Sequence, residues 1–233
     1  MKLTLAAALA LALVACATPT PSADADGWHG VALPGKRATQ YQWAVKDGRR
    51  VLAAQADQSA SMWRRRLRLP ADRLGSVRFS WWVQDTLPGA DVSAAGRSDA
   101  PAAVMFAFDG DQAQLSARNR MMFDLAETLS GERPPYATLM YVFGHDGAQP
   151  EQVVIHPRTD RVRKIVVDAG PEQVRRWREH RRDLAADFRR AFGEAPGALV
   201  SVAYMTDADN TQQQARRIGI SNGLVCEKPG KPD

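Results

Sequence analysis

"SMWRRRLRLP", Ser61–Pro70, decides the fold. Trp63, Leu67 and Leu69 fall on one phase of a two-residue period, and Arg64, Arg66 and Arg68 fall on the other. Successive side chains of a strand point to opposite faces, so this is a half-buried strand with arginines on its open side. Such a row is a solvated face that discourages edge pairing, or alternatively a surface for an anionic glycan.

The same period recurs on both sides of this segment. In "QYQWAVKDGRRVLAA" (40–54), Tyr41, Trp43 and Val45 share a face before Asp47-Gly48, and a second apolar run follows. Asp-Gly between two such segments predicts a hairpin. "VRFSWWV" (77–83), "AAVMFAF" (102–108), "TLMYVFG" (138–144), "RVRKIVVDAG" (161–170) and "ALVSVAYMT" (198–206) predict further short strands. Several are apolar on both faces, as strands packed between a second sheet and another layer should be. One segment departs from this pattern. In "PEQVRRWREHRRDLAADFRRAFGEAP" (171–196), Val174, Trp177, Leu184, Phe188 and Phe192 recur at helical spacing among Arg, Asp and Glu. With Pro171 at its start and Gly193 at its end, it predicts one long amphipathic helix. The fold class expected is mainly β: an antiparallel β-sandwich, jelly-roll-like, with one amphipathic helix before the last core strand. A barrel is the alternative that strand periodicity does not separate.

The N-terminus predicts an address. Lys2 precedes a nearly unbroken Ala/Leu/Val run from Leu3 to Ala15, which reads as a secretory signal peptide over 1–15. A spanning helix needs about 20 apolar residues, and this run is shorter. "LVAC" (13–16) resembles the lipobox of bacterial lipoproteins, which implies cleavage before Cys16 and lipidation there. Ala17 follows where an inner-membrane retention signal would place Asp, so periplasmic anchoring to the outer membrane is expected. "ATPTPSADAD" (17–26) has little to bury, making 16–26 a lipidated tether. One β-sandwich domain over 27–225 and a polar tail over 226–233 complete the organisation.

Of the two cysteines, Cys16 is assigned to lipid and Cys226 has no partner, which rules out a disulfide framework or a cysteine-based metal site. The net charge of +5 invites a nucleic-acid reading, but the predicted compartment and the lack of a recognition motif oppose it. The partners expected are the membrane, through the lipid, and a glycan. No sequence feature sets the oligomeric state.

The block "REHRRDLAADFRRAFGEAPGALVSVAYMTDADNTQ" (178–212) resembles the signature of the domain-of-unknown-function family 3047. There an arginine- and aspartate-rich helix and a Phe-Gly pair precede a strand ending in Met-Thr-Asp-x-Asp-Asn-Thr. "GWHGVAL", "TLMYVFG" and "RVRKIVVDAG" resemble further family blocks in the same order, so the match runs from Gly27 to about Asn222. The resemblance implies a β-rich extracytoplasmic domain and no particular activity. Where the family has a Gly-Asp-Asp pair followed by Arg, this chain reads "GRSDAPAAV" (96–104), keeping Asp99 and placing Ala103 at the later position.

The candidate ligand-binding residues are Asp207, Asp209, Asn210 and Thr211 of "YMTDADNTQ", with Asp99, Trp82, Tyr141 and His145. Asx residues build turns, bind sugar hydroxyls or ligate Ca²⁺, and three readings of the motif follow: turn, sugar contact, or a Ca²⁺ site on Asp207 and Asp209. Ca²⁺ takes six to eight oxygens, so other loops would have to contribute. Trp81 and Trp82 point to opposite faces of their strand; one is core, and the other is free to stack on a sugar. His145 and His156 are the acid–base candidates, with His29 and His180 behind them. A lyase-like arrangement would pair Tyr141 or His145 with Arg118 or Arg120. No Glu-x-Asp-x-x-Glu run, G-x-S-x-G, P-loop, dinucleotide-binding glycine motif or H-E-x-x-H occurs, and no catalytic residue is assigned. The expected function is a non-catalytic module, without a required cofactor, that binds an envelope or exopolysaccharide glycan. The alternatives are a lyase- or hydrolase-type enzyme on such a polymer and a structural envelope adaptor.

Overall fold

The computed structural model describes residues 24–221 and 225–227, with side chains as far as residue 215. The predicted signal peptide, Cys16, the tether up to residue 23 and the tail beyond 227 lie outside the described residues. From Asp24 the backbone is already ordered into a turn, in which the Asp24 carboxylate accepts from the amides of Asp26 and Trp28.

The first sheet has seven strands. Its order is β1 (Trp28–Ala32), β4 (Ala60–Leu69), β11 (Leu199–Asp207), β6 (Ala100–Phe108), β7 (Ala137–Gly144), β9 (Val162–Ala169) and β8 (Val153–Ile155). The second runs β10 (Trp177–Asp183), β5 (Ser76–Trp82), β12 (Gln214–Ser221), β3 (Arg49–Asp57) and β2 (Gln40–Lys46), with β13 (Val225–Glu227) also on β5. Every pairing is antiparallel except β7 with β9. Cys226, placed by sequence in the polar tail, sits on β13 opposite Val77.

The facing sides of the two sheets make the main core. β5 contributes Val77, Phe79 and Trp81, β6 contributes Val104, Phe106 and Phe108, and β7 contributes Leu139, Tyr141 and Phe143. Phe79 stacks on Tyr141 across the sandwich at 5.4 Å between centroids. The alternation of β4 is as expected, with Trp63, Leu67 and Leu69 packing on this core. The opposite face of the first sheet has a second, smaller core of Val92, Ala103, Met140, Val142 and Val166. This is why β6 and β7 read apolar on both faces. The fold is thus the mainly antiparallel, jelly-roll-like β-sandwich.

Two local assignments change. The segment predicted as one helix is a strand in its first half: β10 pairs in register with β5, from Trp177 opposite Trp82 to Asp183 opposite Ser76. Only α2 (Leu184–Phe192) is α-helical, with the Asp183 side chain capping Ala186 N–H and Gly193 closing it at φ 73°. Arg178, His180 and Arg182 alternate along β10, and the carboxylates of Asp168, Asp187 and Glu151 meet them. A second helix, α1 (Ala117–Ser130), was missed, although Ser116 caps Asn119 N–H and left-handed Gly131 ends it. Asn119 and Phe123 are its buried side chains, and Met121, Leu125 and Leu129 face solvent. Among the described residues no helix is long and apolar enough to cross a membrane.

Candidate functional site

The outer face of the first sheet carries a cleft of about 270 Å³. Its floor follows from the two-residue period of four adjacent strands. Met62 on β4 lies opposite Met205 on β11. Met105 on β6 lies opposite Met140 on β7, and Met140 is level with Lys164 on β9. Asp207, two residues beyond Met205 on the same face, closes one end, and His156 lies along the wall. The segment between β5 and β6 folds over this face and is held from below. Lys164 Nζ donates to the carbonyls of Val92 at 3.2 Å and Ser98 at 3.1 Å.

Asp99 and the "DADNT" loop interlock at the Asp207 end. Asp99 is 1% exposed and accepts from Asn210 N–H at 3.1 Å, Asn210 Nδ2 at 2.6 Å, Thr211 N–H at 2.7 Å and Thr211 Oγ1 at 2.6 Å. Burial works to raise this carboxyl, but these bonds outweigh it and hold Asp99 below the usual carboxylate range. Asp209 is bound by the Lys36 ammonium. Oxygens of Asp99, Asp207 and Asp209 lie within 4.8 Å of one another. Burial, then the neighbouring Asp209 and Asp99, push the Asp207 carboxyl up to about 9, so it is a neutral hydrogen-bond donor at pH 7. Burial likewise lowers Lys164, opposed by Asp207, Asp99 and Asp91. Burial with Lys164 and Arg158 nearby takes His156 down to about 4.

The structure therefore brings Asp99 to Asp207, Asp209, Asn210 and Thr211, a loop more than a hundred residues further along the chain. It divides their roles: Asn210 and Thr211 tie the loop through Asp99, while Asp207 faces the cleft. A Ca²⁺ ion here would have to replace the proton on Asp207, the Lys36 ammonium and the amide donors on Asp99. His145 lies nearby but serves the covering segment, its Nδ1 accepting from Val92 N–H at 3.3 Å, with Asp91 at 3.7 Å.

Two sequence-selected residues lie elsewhere. Tyr141 is on the inward phase of β7, fully buried, donating to Asp187 at 2.8 Å, and so faces the opposite sheet rather than the cleft. Trp82 lies on the far face of the second sheet, away from the cleft, with the Lys46 ammonium 3.8 Å above its ring. Its neighbour Trp81 is core, donating to the buried Asp168 at 2.7 Å. The arginine row is ion-paired: Arg64 and Arg66 meet Glu132, and Arg68 meets Asp109. Sequence reasoning missed Met62, Met105, Met140, Met205 and Lys164. The available signal was an apolar methionine on the outward phase of strands whose inward phase already supplied the core.

These features define a two-sheet β-sandwich with a methionine-floored cleft on one outer face, closed at one end by an interlocked aspartate loop. The chain belongs to the family described as protein of unknown function (DUF3047), whose model matches residues 26–218. None of the curated proteins matches it. Among solved structures it is similar to an engineered thermostable cellulase derived from that of Rhodothermus marinus, at 12% identity and TM-score 0.44, covering 85% of this chain and 89% of that one. It is also similar to endoglucanase 3 of Trichoderma harzianum, at 10% identity and TM-score 0.44, covering 87% and 91%. The family 11 xylanase of Neocallimastix patriciarum follows at 11% identity and TM-score 0.37, covering 88% and 93%.

Proposed function

We propose that the protein is a non-catalytic binding module of the cell envelope, anchored at the outer membrane through lipid on Cys16, and that it seats an envelope or exopolysaccharide glycan residue in the methionine cleft. The observation that carries this reading is the pairing of an apolar floor with polar groups at the edge. Met and Ala side chains suit the C–H face of a sugar ring, while the neutral Asp207 carboxyl donates and accepts to its hydroxyls. At about 270 Å³ the cleft lies just under the range of about 300–1,000 Å³ typical of drug-sized ligands, so it holds one ring or substituent rather than a run of them. The carboxyl geometry favours binding over hydrolysis. Glycosidases set two carboxyls on either side of the scissile bond, about 5 Å or more apart, whereas here the carboxyls of Asp99, Asp207 and Asp209 crowd one end of the cleft within 4.8 Å, and Asp99 and Asp209 are already taken by the loop donors and Lys36.

A glycan array probed with the purified mature domain, with and without Ca²⁺, tests this. Binding that disappears in Met140→Trp, which fills the cleft, is the expected result; no binding to any glycan in either condition overturns it. One observation favours the adaptor as a second reading. Met121, Leu125 and Leu129, spaced four apart on α1, are 68%, 59% and 63% exposed, an apolar stripe open to solvent.

A further inference from the structure

The outer face of the second sheet carries a cavity larger than the methionine cleft. Its volume is about 450 Å³, inside the range of about 300–1,000 Å³ that ligand sites occupy. The two-residue period builds it. Val77, Phe79 and Trp81 take the inward phase of β5, so Arg78, Ser80 and Trp82 project outwards. Opposite them on β10 stand Arg181, Glu179 and Trp177. Arg78 and Arg181 are thus direct cross-strand partners on the open face, where Cβ atoms lie about 5 Å apart. Like charges so placed are destabilising, yet the fold keeps these two guanidiniums side by side. The β2–β3 hairpin reaches over the same face. Lys46 sits on Trp82, Asp47 accepts from Trp177 Nε1 at 3.0 Å, and Arg49 bonds Glu179 at 2.8 Å. Arg49 thereby brings a third guanidinium to the cavity. Among the described residues, Glu179 is the one carboxylate in a lining that holds Arg49, Arg78 and Arg181.

We propose that this cavity is a second binding site, for an acidic polysaccharide, with a uronate carboxylate held between Arg78 and Arg181. The planar guanidinium fork matches a carboxylate, and two forks from adjacent strands suit its two oxygens. Both arginines also make contacts within the protein. A guanidinium has five N–H donors, so each keeps that contact and still donates to a ligand. Ser80 and Glu179, next along the face, donate to and accept from sugar hydroxyls. The Glu179 carboxylate also disfavours a dense run of phosphates, whereas a uronate polymer carries one charge per ring. The site lies on the opposite sheet from the methionine cleft and does not rest on it.

The test is isothermal titration of the full mature domain with tetragalacturonate and with its methyl ester, which keeps the rings and removes the charge. The expected result is binding of the acid roughly tenfold tighter than the ester. That difference should close in Arg78→Gln/Arg181→Gln, and also in wild type at about 1 M NaCl, where the screening length is about 3 Å. It should persist in Met140→Trp, which fills the other cleft. Equal affinity for acid and ester in the wild type, or an undiminished difference in the double variant, overturns the proposal. So does acid binding that is lost in Met140→Trp and kept in the double variant, a result that would leave the cleft reading standing. Phosphatidylglycerol vesicles are the last arm: capture by these without binding of the oligomer, abolished in the double variant, would make the arginines a lipid-headgroup site and overturn the glycan assignment.

Discussion

Replacing Asp207 by Asn separates the shape of this side chain from its proton. The wild-type carboxyl is raised to about 9 by burial, Asp209 and Asp99, while in the unfolded chain it titrates near the ordinary aspartate value of 3.8. A raised folded-state pKa contributes stability that is fully present below the unfolded pKa and is lost as pH rises towards the folded one. Between those limits the native state binds one proton more than the unfolded state, so stability falls by about 1.4 kcal/mol per pH unit on account of this group. Asn keeps a donor towards the neighbouring carboxylates and has nothing to titrate. Relative to wild type, Asp207→Asn should therefore gain about 2–3 kcal/mol between pH 6 and pH 8. Read by urea unfolding, that is a relative midpoint shift of roughly 1 M. The same difference between variant and wild type at both pH values would refute the reasoning, because it would mean that Asp207 is ionised in the native state.

Two further outcomes follow from the packing around the site. Asp99→Ala removes the acceptor of four donors in a buried position, and urea unfolding should show a loss of about 3 kcal/mol. An equal stability to wild type would show that the 207–211 loop is not held through Asp99. Gly197→Ala places a Cβ 2.1 Å from the Asp109 carbonyl oxygen, where Asp109 N–H also bonds Ala198 O at 2.8 Å. The backbone must separate, so a fall of more than about 2 kcal/mol is expected in thermal or urea unfolding.

The stretch from Val174 to Phe192 shows where sequence reasoning reached its limit. Its apolar residues fit a helical stripe, yet Trp177–Asp183 is a strand because His180 and Arg178 both meet Asp168 at 2.8 Å and Arg182 meets Asp187 at 2.8 Å. Polar residues on a buried face break the apolar alternation that marks a strand, and their partners are invisible until β9 and α2 are placed. For α1 the signals were present in the Ser116 cap, Gly131 and the four-residue spacing of Met121, Leu125 and Leu129, and the sequence reading did not use them.

By itself the sequence determined a mainly β fold of short strands, since alternation in Ser61–Pro70 and its neighbours follows directly from the geometry of a strand, while the choice of sandwich over barrel needed the strand order. It also singled out Asp99 and the Asp207–Thr211 motif as residues of interest. Only the tertiary structure decided that Asp99 binds the loop while Asp207 remains at the cleft, because burial and neighbouring charge are properties of assembled strands. The same holds for the methionines. Met62, Met105, Met140 and Met205 belong to four strands scattered along the chain, and only the strand order β4-β11-β6-β7 lines them up across one face.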